Sequence, residues 1–345
     1  MLISDFDYEL QEELIAQHPL EKRDESRMLV LNRMDQSWND KKFRDFPDLV
    51  GEGDVLVVNN TKVFPARLIG KREPSGGYIE LFLIREVEEK TWEALSRPAR
   101  RLKLGQRVSF GNERLQGEIV KELEEGRRVV RFECEGSLHE KFDALGQVPL
   151  PPYIKRPEGT LDQDHERYQT VFAIRRGAIA APTAGLHFTP TILEELKRRG
   201  VKVVEITLHV GYGTFEPVRV EKLDQHRVSP EWLEISTGAA NIINDARERK
   251  GRVIAVGTTT TRALESVADE SGVIKTFAGE TGLTITPGYK FRVVDALVTN
   301  FHLPRSSLLV LVATFAGRDF VLSAYRHAVI ERYRFYSYGD CMVII

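Results

Sequence analysis

The sequence has 2 cysteines in 345 residues, and Cys134 and Cys341 form no Cys-x-x-Cys pair. Neither a disulfide framework nor a thiolate zinc site is indicated, and a reducing compartment fits. No run approaches the roughly 18 apolar residues that a membrane helix needs, and the opening Met1-Leu-Ile-Ser-Asp-Phe-Asp-Tyr8 is too acidic for a secretory signal. The chain is therefore expected to be cytoplasmic, without a membrane partner. His-Glu-x-x-His and Gly-x-Ser-x-Gly are also missing, which together with the unpaired cysteines argues against a zincin, a zinc deaminase and an α/β-hydrolase. A formal charge of −2 supplies no global attraction to nucleic acid. It hides one local asymmetry, since Arg97-Pro-Ala-Arg-Arg-Leu-Lys-Leu-Gly-Gln-Arg107 holds five bases and no acid.

What is there is an ordinary folding composition, 42% hydrophobic and 29% charged, in a chain long enough for two domains. An Asp5-led helix to about Ala16, a strand over Met28 to Leu31 and a strand over Asp54 to Asn59 open the first domain. Between residues 61 and 149 the texture turns to short β-rich runs: Tyr78 to Ile84, Arg107 to Phe110, Glu118 to Leu123 and Arg128 to Glu133. That pattern predicts a small antiparallel barrel or sandwich. Leu150-Pro-Pro-Tyr-Ile-Lys155 reads as an extended linker. Beyond it, a helix from Thr189-Pro190 to Gly200 feeds a strand over Val201 to Val210, and a helix over about Ala239 to Arg249 feeds a strand over Arg252 to Val256. The expected fold is thus mixed α/β: a large α/β domain built from residues 1–60 and 150–345, with a β-barrel-like domain of residues 61–149 inserted.

Two blocks share an arrangement that packing alone explains poorly. Ala180-Ala-Pro-Thr-Ala-Gly-Leu-His-Phe-Thr-Pro190 and Thr299-Asn-Phe-His-Leu-Pro304 each run from a Thr to a His and on to a Pro expected to lead a helix. His187 and His302 therefore stand just before positive helix ends, where imidazolium is disfavoured and a neutral ring can donate or accept a proton. Buried histidines closing strand ends are the bland alternative. Gly211-Tyr-Gly213-Thr-Phe follows a strand, but Thr214-Phe-Glu-Pro-Val-Arg-Val220 does not open the helix a dinucleotide or methyltransferase turn requires. It reads as a Gly-lined pocket edge with His209 beside it, or equally as a tight turn. Val256-Gly-Thr-Thr-Thr-Thr-Arg-Ala-Leu-Glu265 reads as strand, loop and helix start whose amides and hydroxyls could cradle an anion, with simple capping threonines the favoured alternative. Asp295 and Asp340 are carboxylates in apolar or aromatic settings suited to a cation, against ordinary strand-end and turn roles.

Taken in order, Asn59-Asn-Thr-Lys-Val-Phe-Pro-Ala-Arg67, Leu150-Pro-Pro-Tyr-Ile, Arg167-Tyr-Gln-Thr-Val171, Ala180 to Phe188, Leu208-His-Val-Gly-Tyr-Gly-Thr-Phe215, Thr299 to Pro304 and Tyr333 to Asp340 resemble one family. It is that of the S-adenosylmethionine:tRNA ribosyltransferase-isomerases of queuosine biosynthesis, and the likeness runs from Asp5-Phe-Asp-Tyr8 to the C-terminus. Tyr212 and Thr260-Thr261 depart from the family pattern. The resemblance implies that the ribosyl unit of S-adenosylmethionine goes to the aminomethyl group of a deazaguanine at the tRNA wobble position, giving epoxyqueuosine, adenine and methionine. It implies no metal or redox cofactor, and S-adenosylmethionine and tRNA as the partners. An ordinary methyltransferase and an RNA-binding or assembly module are the rivals. On this reading His187, His302 and His209 are candidates for proton transfer. Thr183, Gly185, Gly211, Gly213 and Thr258 would line the S-adenosylmethionine site, Asp295 or Asp340 would hold the substrate amine, and Arg100, Arg101, Lys103 and Arg107 would meet tRNA phosphates. With no heptad seam or long apolar edge, a monomer is expected.

Overall fold

The computed structural model describes residues 1–156, 161–215 and 218–345. They form two compact units: Met1–Lys62 with Pro152–Lys155 and Arg167–Ile345, and Val63–Pro151 with Arg156–Glu166. The second unit is larger than the expected insert because it also takes Arg156–Glu166, a segment that carries its own buried ion pair, Arg156 to Asp164 at 3.0 Å.

The first unit is built on a nine-stranded sheet. At its centre Lys202–Leu208, Val55–Asn59, Val253–Val256 and Ala296–Asn300 run parallel in that spatial order. Val55–Asn59, Val253–Val256 and Ala296–Asn300 are buried throughout, as strands covered on both faces must be. Cys341–Ile344 pairs antiparallel with Ala296–Asn300 and parallel with Arg27–Asn32. The first parallel strand in sequence lies between the second and the third. The chain therefore reverses its direction of winding there, and the carboxyl ends of the strands diverge.

The helices start where the side chains supply caps. Thr189, Ser236 and Ser306 accept from Ile192, Ala239 and Leu309 amides and begin Pro190–Arg198, Thr237–Glu248 and Ser307–Ala316. Pro190 leads its helix as expected, whereas Pro304 does not: the second block ends in a turn with Arg305 at φ 55° before Ser306 caps the helix. Phe43, Phe46 and Phe188 pack edge and face against one another under the sheet, with Val58, Val256, Val298 and Val343 in the same core.

The N-terminal helix is not formed. Ile3–Phe6 and Glu12–Leu14 are 3₁₀ turns separated by extended residues such as Asp7. Phe6 and Tyr8 are both buried, and residues two apart share a side only in an extended chain, never in a helix. Among the described residues no single helix is long and apolar enough to cross a membrane.

The second unit is an antiparallel barrel. Arg67–Arg72, Gly77–Glu88, Thr91–Arg97, Arg127–Glu133, Leu115–Glu122 and Arg107–Phe110 pair in succession, and the last closes on the first. Closure needs Gly70, where a Cβ would lie 2.4 Å from the Ser109 carbonyl. Ile79, Leu81 and Leu83 alternate inward, as do Val130 and Phe132, which is the period of two on which a barrel interior depends.

Candidate active site

The divergent carboxyl ends of the parallel strands in the first unit bound a cavity of about 700 Å³, open solvent at its mouth included. Such a position and size suit a small-molecule site. One wall is Ala180 to Ala184, the next is Gly257 to Thr259 with Arg262, and the third is Thr299 to His302. Tyr153, Tyr168 and Tyr336 close it with Ser337, whose hydroxyl bonds that of Tyr153. Of the residues expected to meet substrate, Thr183, Thr258 and His302 line this cavity.

His302 is 6% exposed. Its Nε2 meets the Thr299 hydroxyl at 2.8 Å, and its backbone is fixed from both sides, the N–H donating to Tyr325 Oη and the carbonyl accepting from Tyr8 Oη. Burial lowers its pKa to about 3, so the ring is neutral in the free protein.

His187 is placed differently. It lines a separate, smaller cavity with Arg23, Ser26 and Arg167, so the two imidazoles do not meet in one cleft. Asn300 lies between His187 and the large cavity, lining the cavity and bonding His187. Its Nδ2 lies 3.2 Å from the Tyr336 carbonyl, an oxygen that can only accept, so the amide is oriented with its NH₂ on that side. The same NH₂ faces His187 Nε2 at 3.1 Å, making that nitrogen an acceptor. Nδ1 then carries the hydrogen and donates to Ser26 Oγ at 2.8 Å. Burial first, and then the Arg23 and Arg334 charges, lower the His187 pKa to about 3. With both nitrogens bonded inside protein, His187 orients Asn300 and does not itself face the large cavity.

The other candidates separate on similar grounds. His209 bonds the Thr61 hydroxyl through Nδ1 at 2.7 Å and covers Gly177, where a Cβ would lie 2.5 Å from its ring. Its neighbour Val210 lines the cavity, and successive residues of extended chain face opposite sides. Gly185 is a packing glycine, since a Cβ there would meet Thr170 at 2.9 Å. The Gly211 amide is spent on Glu231 Oε1 at 2.9 Å, while Gly213 borders a neighbouring cavity with Glu231, Arg262 and Leu283.

Neither carboxylate lines the cavity. Asp340 is 1% exposed and accepts from the Arg27 and Arg334 amides at 2.8 Å each, which ties its loop to the start of the strand Arg27–Asn32. Asp295 accepts from the Val253 amide at 2.8 Å and precedes the strand Ala296–Asn300, whereas the cavity lies past the opposite end of that strand. Among the described residues no group of three or more His, Cys, Asp and Glu could hold a metal ion.

In the barrel, Arg100, Arg101, Lys103 and Arg107 are all exposed. The run is free of acids in sequence but not in space: Lys103 lies 3.4 Å from Glu122, and Arg107 pairs across strands with Glu118. Arg100 and Arg101 have no carboxylate partner among the described residues. The turn Ala99–Arg101 that carries them is held by buried Arg128, which donates to the Leu102, Ala99 and Arg127 carbonyls at 2.6, 2.7 and 2.7 Å.

Comparison with known proteins decides what this scaffold is. The chain matches the family described as queuosine biosynthesis protein over residues 3–344. The chain belongs to the queuosine biosynthesis protein family. It is 51% identical over 345 residues to an S-adenosylmethionine:tRNA ribosyltransferase-isomerase of Desulfitobacterium hafniense, with both chains covered in full. A protein of the same name from Acetivibrio thermocellus is 50% identical over 344 residues, again with full coverage of both. The crystal structure of an S-adenosylmethionine tRNA ribosyltransferase from Thermotoga maritima is similar in fold, with a TM-score of 0.56 and 38% identity over 99% of this chain and 100% of that one. Within this queuosine biosynthesis protein, Thr214, Thr259, Arg262, Asn300 and the three tyrosines are among the cavity residues that reading the sequence alone did not single out as candidates.

Proposed function

We infer that the chain transfers the ribosyl unit of S-adenosylmethionine to the 7-aminomethyl-7-deazaguanine at the wobble position of tRNA and isomerises it, releasing adenine and methionine in the queuosine pathway. The observation that carries this reading is a nucleoside-sized cavity at the carboxyl ends of the parallel strands in a chain 51% identical from end to end to an enzyme named for the reaction. S-adenosylmethionine is consumed as a co-substrate, with no metal or redox cofactor.

The cavity residues fit the demands of that chemistry. A proton made acidic by the neighbouring sulfonium has to be removed, and the departing adenine has to be protonated. His302 is the imidazole on the cavity, and its pKa of about 3 keeps it neutral beside a cationic donor. A neutral ring offers one accepting and one donating nitrogen, so a proton taken from the substrate carbon can be handed on to adenine nitrogen. Tyr153, Tyr168 and Tyr336 offer apolar faces for a base, and aromatic side chains stack on bases without reading their edges. Thr183 and Thr258 supply hydroxyls along the nucleoside. His187 acts through Asn300 as a positioning residue.

The test is product analysis after mixing the protein with S-adenosylmethionine and tRNA carrying the aminomethyl base. Adenine and methionine are expected in equal amounts, with no methylated RNA. S-adenosylhomocysteine as the stoichiometric product would instead make the chain a methyltransferase.

A further inference from the structure

The helix Thr258–Val267 begins on the cavity, and its first turn is not capped as a run of threonines would suggest. Gly257 precedes it at φ 91°, with no side-chain cap. Thr260 and Thr261 turn their hydroxyls back to the Val256 and Gly257 carbonyls at 2.7 and 3.1 Å, so the leading amides of the helix keep their donors open. Helical side chains lean toward the N-terminus, and residues three and four apart share a face. Arg262 therefore returns to the same wall as Thr258 and Thr259, and all three line the cavity.

Arg262 is 7% exposed. Its Nε donates to the Leu283 carbonyl at 3.0 Å, and its Nη1 to Glu231 Oε2 at 2.7 Å. These bonds fix the guanidinium plane. Nη2 is buried and has no hydrogen-bond partner, and the same is true of the Thr259 hydroxyl. Two unsatisfied buried donors on one cavity wall are a standing cost that an acceptor would remove. The positive end of the helix adds to the preference for negative charge. Glu231 already balances the single charge of the guanidinium, so what is left for a ligand is the open donors and the positive helix end, which suit a single small anion and not a polyanion.

We propose that Arg262 Nη2, the Thr259 hydroxyl and the leading amides of Thr258–Val267 form a carboxylate subsite that holds the α-carboxylate at the methionine end of S-adenosylmethionine. The assignment rests on the cavity being the nucleoside site. Holding the amino-acid end at the helix leaves the sulfonium and ribose to the rest of the cavity, whose neighbouring wall carries His302. A tRNA phosphate has the same anionic chemistry and is the alternative source of the ligand.

The test compares the binding of S-adenosylhomocysteine and 5′-methylthioadenosine, which share the nucleoside and differ in the amino-acid end. The full-length chain is expected to prefer S-adenosylhomocysteine, and Thr259→Val and the charge-balanced Arg262→Gln, Glu231→Gln pair are each expected to reduce that preference, by about tenfold for the pair. The double substitution removes both members of the buried ion pair, and Thr259→Val is nearly isosteric, so one variant remains informative if the other does not fold. An unchanged preference in a folded variant overturns the subsite. An unchanged preference with weakened tRNA binding overturns it in favour of a phosphate. Failure of the unaltered chain to bind either nucleoside overturns the reading of the cavity itself.

Discussion

Acidification should destabilise this protein through two histidines in particular, and the amount follows from their burial. His187 and His302 have pKa values lowered to about 3, whereas an unfolded imidazole titrates near 6.5. Between those values the unfolded chain binds the proton and the folded chain does not. The unfolded state therefore gains protons as pH falls, and stability rises with pH across that window. From pH 7 to pH 5 the unfolded ring goes from about one-quarter to nearly full protonation, while the folded ring stays neutral. At about 1.36 kcal/mol per pKa unit, each histidine removes about 2 kcal/mol and the pair about 4 kcal/mol. Carboxylates with lowered pKa values, such as Asp54 beside Arg252, also lose stability on acidification, so the comparison has to be made against variants.

Two substitutions remove the titration while keeping one bonding nitrogen: His302→Gln places an amide near Nε2, and His187→Asn places one near Nδ1. Urea unfolding of the three proteins at pH 7 and pH 5 should show each variant losing about 2 kcal/mol less than the unaltered chain over that interval. Ring-proton NMR gives an independent reading, with two histidine signals that do not titrate down to pH 5. Equal losses in all three proteins, or no non-titrating signal, would refute the burial argument.

The same pair of variants separates chemistry from scaffolding. His302→Gln is expected to slow the single-turnover release of adenine by roughly a hundredfold, the scale of a positioned acid or base, with His187→Asn keeping turnover within about tenfold while losing about 1 to 3 kcal/mol of stability at neutral pH. The reverse ranking would make His187 the proton-transfer group and defeat its assignment as a positioning residue acting through Asn300. In the barrel, Arg100→Ala, Arg101→Ala should lower the slope of log tRNA affinity against log salt by about 1.4 to 1.8, if each arginine meets one phosphate. Adding Lys103→Ala should lower it by less than one further contact, because Glu122 already lies against that lysine; an unchanged slope in the double variant removes the exposed turn from the tRNA surface.

Much of the fold was legible because it rests on periodicity. The alternation in Arg127–Glu133 and the apolar runs Val55 to Val58 and Val253–Val256 announce a barrel strand and central parallel strands. The N-terminal segment misleads for a related reason: an acidic residue near its start favours a helix, but the burial of Phe6 and Tyr8 two residues apart demands extended chain, and tertiary burial outweighs propensities of a few tenths of a kcal/mol. Asp340 is unreadable from sequence because its role lies in two backbone amides, one of them 313 positions away.

The candidate site divides along the same line. That His187 and His302 stand at strand ends before helices is a local fact and is encoded locally. Which of them faces the large cavity follows from tertiary placement, and the tautomer of the other follows from an asparagine amide oriented by the Tyr336 carbonyl, a main-chain atom with no signature in its side chain. Arg262 is the opposite case. Its spacing of four from Thr258 and three from Thr259 already places it on the face that opens the helix, so a basic residue at that offset after a glycine-led helix start is a readable sign of an anion site. What spacing could not supply is the state of its donors. The bond from Nη1 to Glu231 fixes the guanidinium, and the lack of any bond to Nη2 turns a buried structural arginine into a group that still has a ligand to find.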